Sequence, residues 1–79
     1  GGLRMINEIC KLHSQLDFDT EIRIKFARYD YSTAIQKADI IKIVGENCNV
    51  LKVIRPDGQI KLINVDQIII VYKGRRTFV

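Results

Sequence analysis

The chain has 79 residues, a net charge of +4 and 47% hydrophobic residues. That is one domain, of a size that removes only roughly 60% of the unfolded surface from water, so its core is small. No apolar run approaches the roughly 18 residues of a membrane span, and no charged and apolar leader reads as a signal peptide.

The charge is unevenly spread. Residues 1–49 carry seven basic and seven acidic residues, which cancel. Residues 50–79 carry six basic residues (Lys52, Arg55, Lys61, Lys73, Arg75, Arg76) against Asp57 and Asp66, two acidic ones. The whole excess lies in the last part of the chain, a pattern that suits an anionic partner such as nucleic acid.

In chain order, Gly1-Gly2 ahead of Leu3-Arg4-Met5 reads as an added leader, with Met5 as a natural start. Met5, Ile9, Leu12 and Leu16 recur at helical spacing, as do Ile6 and His13, and predict an amphipathic helix over about 5–16. His13, the single histidine, falls at the edge of the apolar stripe, where a structural role is expected. Asp17-Phe18-Asp19-Thr20 breaks the helix. Asp17, Asp19 and Glu21 stand on alternate positions, a spacing read as a solvated loop rather than a metal site.

Ile22, Ile24 and Phe26 then alternate with Arg23, Lys25 and Ala27, which predicts a half-buried strand over about 21–29. Tyr29-Asp30-Tyr31-Ser32 reads as a turn or strand end. Residues 33–44 carry two signals. Ala34, Ala38 and Ile41 fit one face of a helix that Ser32 or Thr33 would cap and Gly45 would end. Ile40-Ile41-Lys42-Ile43-Val44 is β-branched and favours a strand, the preferred reading.

Val50, Leu51, Val53 and Ile54 form a strand over about 49–55. Pro56 presets φ for the first central position of a turn, Asp57 fits the second, and Gly58 can take positive φ to start the return strand at 59–64. Asn64 to Gln67 has room only for a tight or 3₁₀ turn. Ile68-Ile69-Ile70-Val71-Tyr72 is a strand over about 68–73 with no polar face, which Lys73-Gly74-Arg75-Arg76 ends. Thr77-Phe78-Val79 adds a short strand or simply trails. Five apolar residues in a row invite pairing with another chain at a sheet edge, so self-association through Ile68 and Ile70 is expected.

These elements predict a mainly β fold: a small five-stranded bent barrel of SH3-like shape with an N-terminal α-helix. They also resemble the Sm-like fold of the LSm and Hfq proteins. Glu46-Asn47-Cys48-Asn49-Val50-Leu51 looks like the first Sm motif, and Ile60 to Tyr72, with its Val65-Asp66-Gln67-Ile68 break, looks like the second in its Hfq form. In a competing register, Tyr72-Lys73-Gly74-Arg75 resembles the Sm Arg-Gly turn. Asn64-Val65-Asp66 stands where Hfq proteins carry Tyr-Lys-His, the second strand lacks the family's glycine, and residues 26–49 run longer than is usual. The resemblance implies a homo-oligomeric ring that binds single-stranded RNA, with Asn47, Asn49, Asn64 and Gln67 around its pore. Amides suit that work, since each offers donors and acceptors to the Watson–Crick edge of a splayed base.

The residues themselves add further supports for nucleic acid. Lys73, Arg75 and Arg76 can neutralise phosphates, Tyr29, Tyr31 and Tyr72 can stack on bases, and Arg23 and Lys25 line one face of the first predicted strand. An SH3-like protein-assembly module, pairing through an edge strand, is the reading from another class, and DNA binding by the same basic face is a third. An enzyme is not expected: there is no Ser/His/Asp set, no oriented Cys-His pair, no phosphate-binding glycine loop, and no cofactor signature. Cys10 and Cys48 form no CxxC pair and read as free thiols of a reducing, cytoplasmic protein.

Overall fold

A computed structural model describes residues 2–28 and 31–77. The predicted turn residues Tyr29 and Asp30, and Phe78 and Val79 of the trailing segment, lie outside the described residues.

The helix α1 spans Gly2–Ser14. Ile6 and Ile9 of its apolar stripe are buried, and Leu16, two residues beyond its end, is buried too. It starts earlier than the apolar pattern predicts because its first turn packs on the fold: a Cβ on Gly2 would lie 2.5 Å from the Cys48 carbonyl oxygen. It ends with Gln15 N donating to Leu12 O and Leu16 N to His13 O, at 3.0 and 3.2 Å. The Asp17 carboxylate then accepts from Asp19 N at 2.9 Å and from Thr20 Oγ1 at 3.0 Å, which turns the chain into the first strand. These two bonds, Asp19 first, hold the Asp17 carboxyl below its ordinary range.

Six strands follow: β1 Thr20–Phe26, β2 Ser32–Gln36, β3 Ile40–Ile43, β4 Val50–Ile54, β5 Ile60–Asn64 and β6 Ile68–Arg75. They form two three-stranded antiparallel sheets, ordered β2-β1-β6 and β3-β4-β5. The core lies between the sheets and under α1: Ile22, Ile24, Phe26 and Ile35 from the first sheet meet Leu51, Val53 and Ile63 from the second, with Ile6, Ile9 and Val65. Among the described residues no helix is long and apolar enough to cross a membrane.

This corrects the expected five-stranded barrel, which is not what forms. The predicted strand over 33–44 is extended rather than helical, but it is two strands. Asp39 divides it: its backbone N–H donates to Gln36 O at 3.1 Å, and its carboxylate accepts from Gln36 N at 2.8 Å. That clamped turn moves the chain from the first sheet to the second. The return passes through a single 3₁₀ turn, Val65–Gln67. The β4–β5 turn forms as Pro56, Asp57 and Gly58 dictate, with Gly58 N donating to Arg55 O at 2.9 Å and Gly58 at φ +88°.

β6 also differs from its predicted form. It runs through Lys73-Gly74-Arg75, because Arg75 pairs with Thr20 and Gly74 with Glu21 on β1. Lys25 pairs with Ile70 and Phe26 with Ile68, leaving Ile69 as the extra residue of a β-bulge. Ile69 and Ile70 are therefore both exposed, at 55% and 47%, whereas Ile68 packs against the core. β6 is an edge of its sheet, and β5 is an edge of the other.

Candidate nucleic-acid interface

The register of the first sheet assembles a polar face. Arg23 on β1 stands opposite Ala34 on β2 and Tyr72 on β6, and Lys25 stands opposite Ser32 and Ile70. This is the strand period at work: Ile22, Ile24 and Phe26 turn inward, so Arg23 and Lys25 turn out. The hairpin of the second sheet reaches the same place. Arg55 donates to Ala34 O at 3.0 Å, and Lys61 donates to Thr33 Oγ1 at 3.2 Å. Together these groups enclose a cleft of about 640 Å³, which Tyr31, Ser32 and Thr77 also line.

Arg23 lies across β6 close to Gly74, where a Cβ would stand 3.1 Å from Arg23 Nε. The guanidinium pairs with Glu21 at 3.3 Å and donates to Arg75 O at 2.7 Å and Thr77 Oγ1 at 3.1 Å. Arg55 pairs with the buried Asp39 at 3.7 Å. The other two cations differ. Lys25 is exposed, and the hydrogen-bond partner of the half-buried Lys61 is a neutral hydroxyl. Burial holds the Lys61 ammonium below the usual lysine range, and the neighbouring Arg55 charge lowers it further, against weaker pulls from Asp39 and Glu21. Among the described residues four cations thus line the cleft, and the carboxylates of Glu21 and Asp39 pair with two of them. Tyr31 and Tyr72 are 56% and 49% exposed, and Tyr31 stacks on Phe26 with ring centroids 5.5 Å apart.

The residues singled out from sequence fall into separate groups. Asn49 and Asn64 do meet: Val50 pairs with Asn64, and Val65 N donates to Asn49 O at 2.9 Å. They sit at the end of the β4–β5 hairpin away from Arg55, five to six residues or roughly 17–20 Å along the strand. There the Asn64 amide serves the backbone. Asn64 Oδ1 accepts from Asp66 N at 2.9 Å and caps the 3₁₀ turn, and Asn49 Oδ1 is buried without a hydrogen-bond partner among the described residues. Asn47 is exposed at φ +57°, and the backbone carbonyl of Gln67 accepts from Ala27 N at 2.7 Å.

The three cations at the end of the chain are also spread out. Lys73 pairs with Ile22, the opposite alternation from Tyr72. Arg75 gives its carbonyl to Arg23. Arg76 N donates to Asp19 O at 2.7 Å, and its guanidinium lies 5.8 Å from the centre of the Phe18 ring. This segment is therefore tied to the fold rather than trailing as a basic arm.

The cleft does unite Arg23, Lys25, Tyr31 and Tyr72, while Tyr29 lies outside the described residues. Sequence reasoning gave no site role to Arg55 and Lys61. The usable signal was their position on either side of the Pro56-Asp57-Gly58 turn, within the segment that holds the charge excess. Among the described residues, no three His, Cys, Asp or Glu side chains converge as metal ligands would. Comparison with family models, curated proteins and solved structures finds no match.

Proposed function

We propose that this chain is a non-enzymatic, Sm-like RNA-binding module that acts as a homo-oligomer. One observation carries the reading: four cations and two exposed tyrosine rings converge on a single cleft. Cations that track a backbone and rings on which bases stack are the two requirements of single-strand binding. The family resemblance is supported by an N-terminal helix and by the single-turn break before the last strand. The oligomer is supported by two of the four edge strands. β6 exposes Ile69 and Ile70, β5 exposes Ile60 and Leu62 at 53% and 68%, and joining unlike edges of successive copies closes a ring or extends a filament. The free thiols of Cys10 and Cys48 suit a reducing, cytoplasmic setting.

Fluorescent single-stranded RNA pools titrated at rising salt test the reading. Binding should weaken along a straight line in log salt, with a slope set by the phosphates contacted. Absence of binding at low salt would contradict it. The same edges favour a second reading, an SH3-like protein-assembly module. In that case light scattering gives a multiple of the chain mass, association responds little to salt, and RNA is ignored.

A further inference from the structure

We infer that the cleft is a nucleotide site, in which Lys61 and Arg55 hold a phosphate group and Tyr72 stacks on the base. The inference takes its ligand class from the RNA reading, and it applies equally to a free nucleotide and to one residue of a strand.

The geometry starts on β2. Lys61 and Arg55 are anchored on adjacent residues, Thr33 and Ala34, and Arg23 stands directly opposite Ala34. Two cationic side chains therefore converge on one dipeptide, while the Arg23 guanidinium turns away across β6 to Arg75 O and Thr77. Glu21 answers Arg23, and Asp39 answers Arg55. Asp39 Oδ2 is held by Arg55 and by Gln36 N, while its buried Oδ1 has no hydrogen-bond partner among the described residues. Lys61 is left as a half-buried ammonium on a neutral hydroxyl. Withdrawing a charge from water costs free energy that the pulls of Asp39 and Glu21 only partly offset, so among the described residues the cleft favours one more anion. A phosphate oxygen supplies it, and charge-assisted hydrogen bonds from an ammonium and a guanidinium are the strong kind.

The remainder of the cleft fits the remainder of a nucleotide. Tyr72 lies on β6, two strand spacings from β2, or roughly 10 Å. That span suits a phosphate at one side and a base at the other. The Ser32, Thr33 and Thr77 hydroxyls line the interval and are suited to ribose oxygens, including the 2′-hydroxyl. A volume of about 640 Å³ lies inside the roughly 300–1,000 Å³ of small-ligand pockets. The arrangement also explains why a fold this small keeps a cation at Lys61 that β5 does not need for its core.

The test is a titration followed through the backbone amide signals of the full chain. The probes are uridine 5′-monophosphate, uridine, inorganic phosphate and a single-stranded RNA pool. The proteins are the unaltered chain, Lys61→Met, Tyr72→Leu, and Lys42→Met as a control on the outer face of the second sheet. Thermal melting of each variant confirms that it folds. The expected result is that the monophosphate shifts Thr33, Ala34 and Tyr72 and binds more tightly than uridine or phosphate. Lys61→Met should lose about tenfold or more in affinity, the scale of one hydrogen bond to a charged group. Tyr72→Leu should weaken the monophosphate but not inorganic phosphate, and Lys42→Met should change neither.

Uridine binding as tightly as its monophosphate, shifts confined to other residues, or an unchanged affinity in folded Lys61→Met would each overturn the inference. The two proposals fail separately. RNA that binds the Lys61→Met chain as well as the unaltered one removes the cleft and leaves the RNA reading intact. Monophosphate that binds in the cleft while RNA does not leaves the nucleotide site and removes the RNA reading.

Discussion

The two ends of the β4–β5 hairpin use polar side chains in opposite ways. At the Asn49–Asn64 end the Asn64 side chain caps a 3₁₀ turn and the Asn49 backbone carbonyl satisfies Val65 N, while Asn49 Oδ1 is buried without a hydrogen-bond partner among the described residues. At the Arg55–Lys61 end the charge exceeds what the fold consumes. Glu21 and Asp39 balance two of four cations, and a half-buried lysine rests on a threonine hydroxyl. Polar residues that serve the backbone stabilise, whereas polar residues in surplus cost stability and mark a site where a ligand can repay it.

The sharpest way to break this contrast is Asp39→Ala. It removes the clamp on the Gln36–Ile40 turn and leaves the largely buried Arg55 guanidinium without its carboxylate, so a loss of about 3 kcal/mol is expected in urea unfolding. Core truncation gives a reference of similar size, since Ile22→Ala should cost about 2–5 kcal/mol without selecting either end of the hairpin. At the amide end, Asn64→Ala should cost about 1 kcal/mol through the lost cap while RNA affinity stays level. A drop in affinity without a drop in stability would return Asn64 to the binding site.

Smaller effects separate the ends by pH. Lys61 titrates lower in the folded chain than in the unfolded one, where its ordinary value is 10.5. The unfolded chain therefore holds that proton more tightly, and the charged lysine weakens folding at neutral pH. Stability should rise as pH climbs through the depressed value toward 10.5. Lys61→Met should melt slightly higher than the unaltered chain at pH 7 and lose that alkaline rise. A lower melting temperature for Lys61→Met would contradict the view that its charge is surplus. Asp17 provides the opposite sign. Its carboxyl is held below 3.8 by Asp19 N and Thr20, so its contribution is present above that pH and fades as pH falls through the folded value. Asp17→Asn, which can still accept both bonds, should flatten that acid limb of the stability profile.

Much of the fold was legible wherever a period or a turn signal is local. The alternation around Ile22, Ile24 and Phe26 marks β1, and Pro56-Asp57-Gly58 marks the hairpin turn, because both depend on neighbouring residues only. The split of residues 33–44 was not legible. Ala34, Ala38 and Ile41 also fit a helical face, and the turn depends on the Asp39 carboxylate reaching back to Gln36 N. The extent of β6 was hidden as well, since Gly74 reads as a terminator until Arg23 is seen lying across it.

The site was half legible for the same reason. Arg23, Lys25, Tyr31 and Tyr72 were visible as residue types suited to nucleic acid. Their meeting with Arg55 and Lys61 is a long-range event, carried by bonds to Ala34 and Thr33 across sequence separations of 21 and 28 residues. An asparagine that caps a turn, as Asn64 does, and one that reads a base look alike in sequence.

The most direct measurement is the affinity of one single-stranded RNA pool for the unaltered chain, Lys61→Met and Asn64→Ala, taken side by side at two salt concentrations. The expected result is a loss of about tenfold or more and a shallower salt dependence for Lys61→Met, with Asn64→Ala unchanged. An undiminished Lys61→Met beside a weakened Asn64→Ala would contradict the assignment and place recognition at the other end of the hairpin.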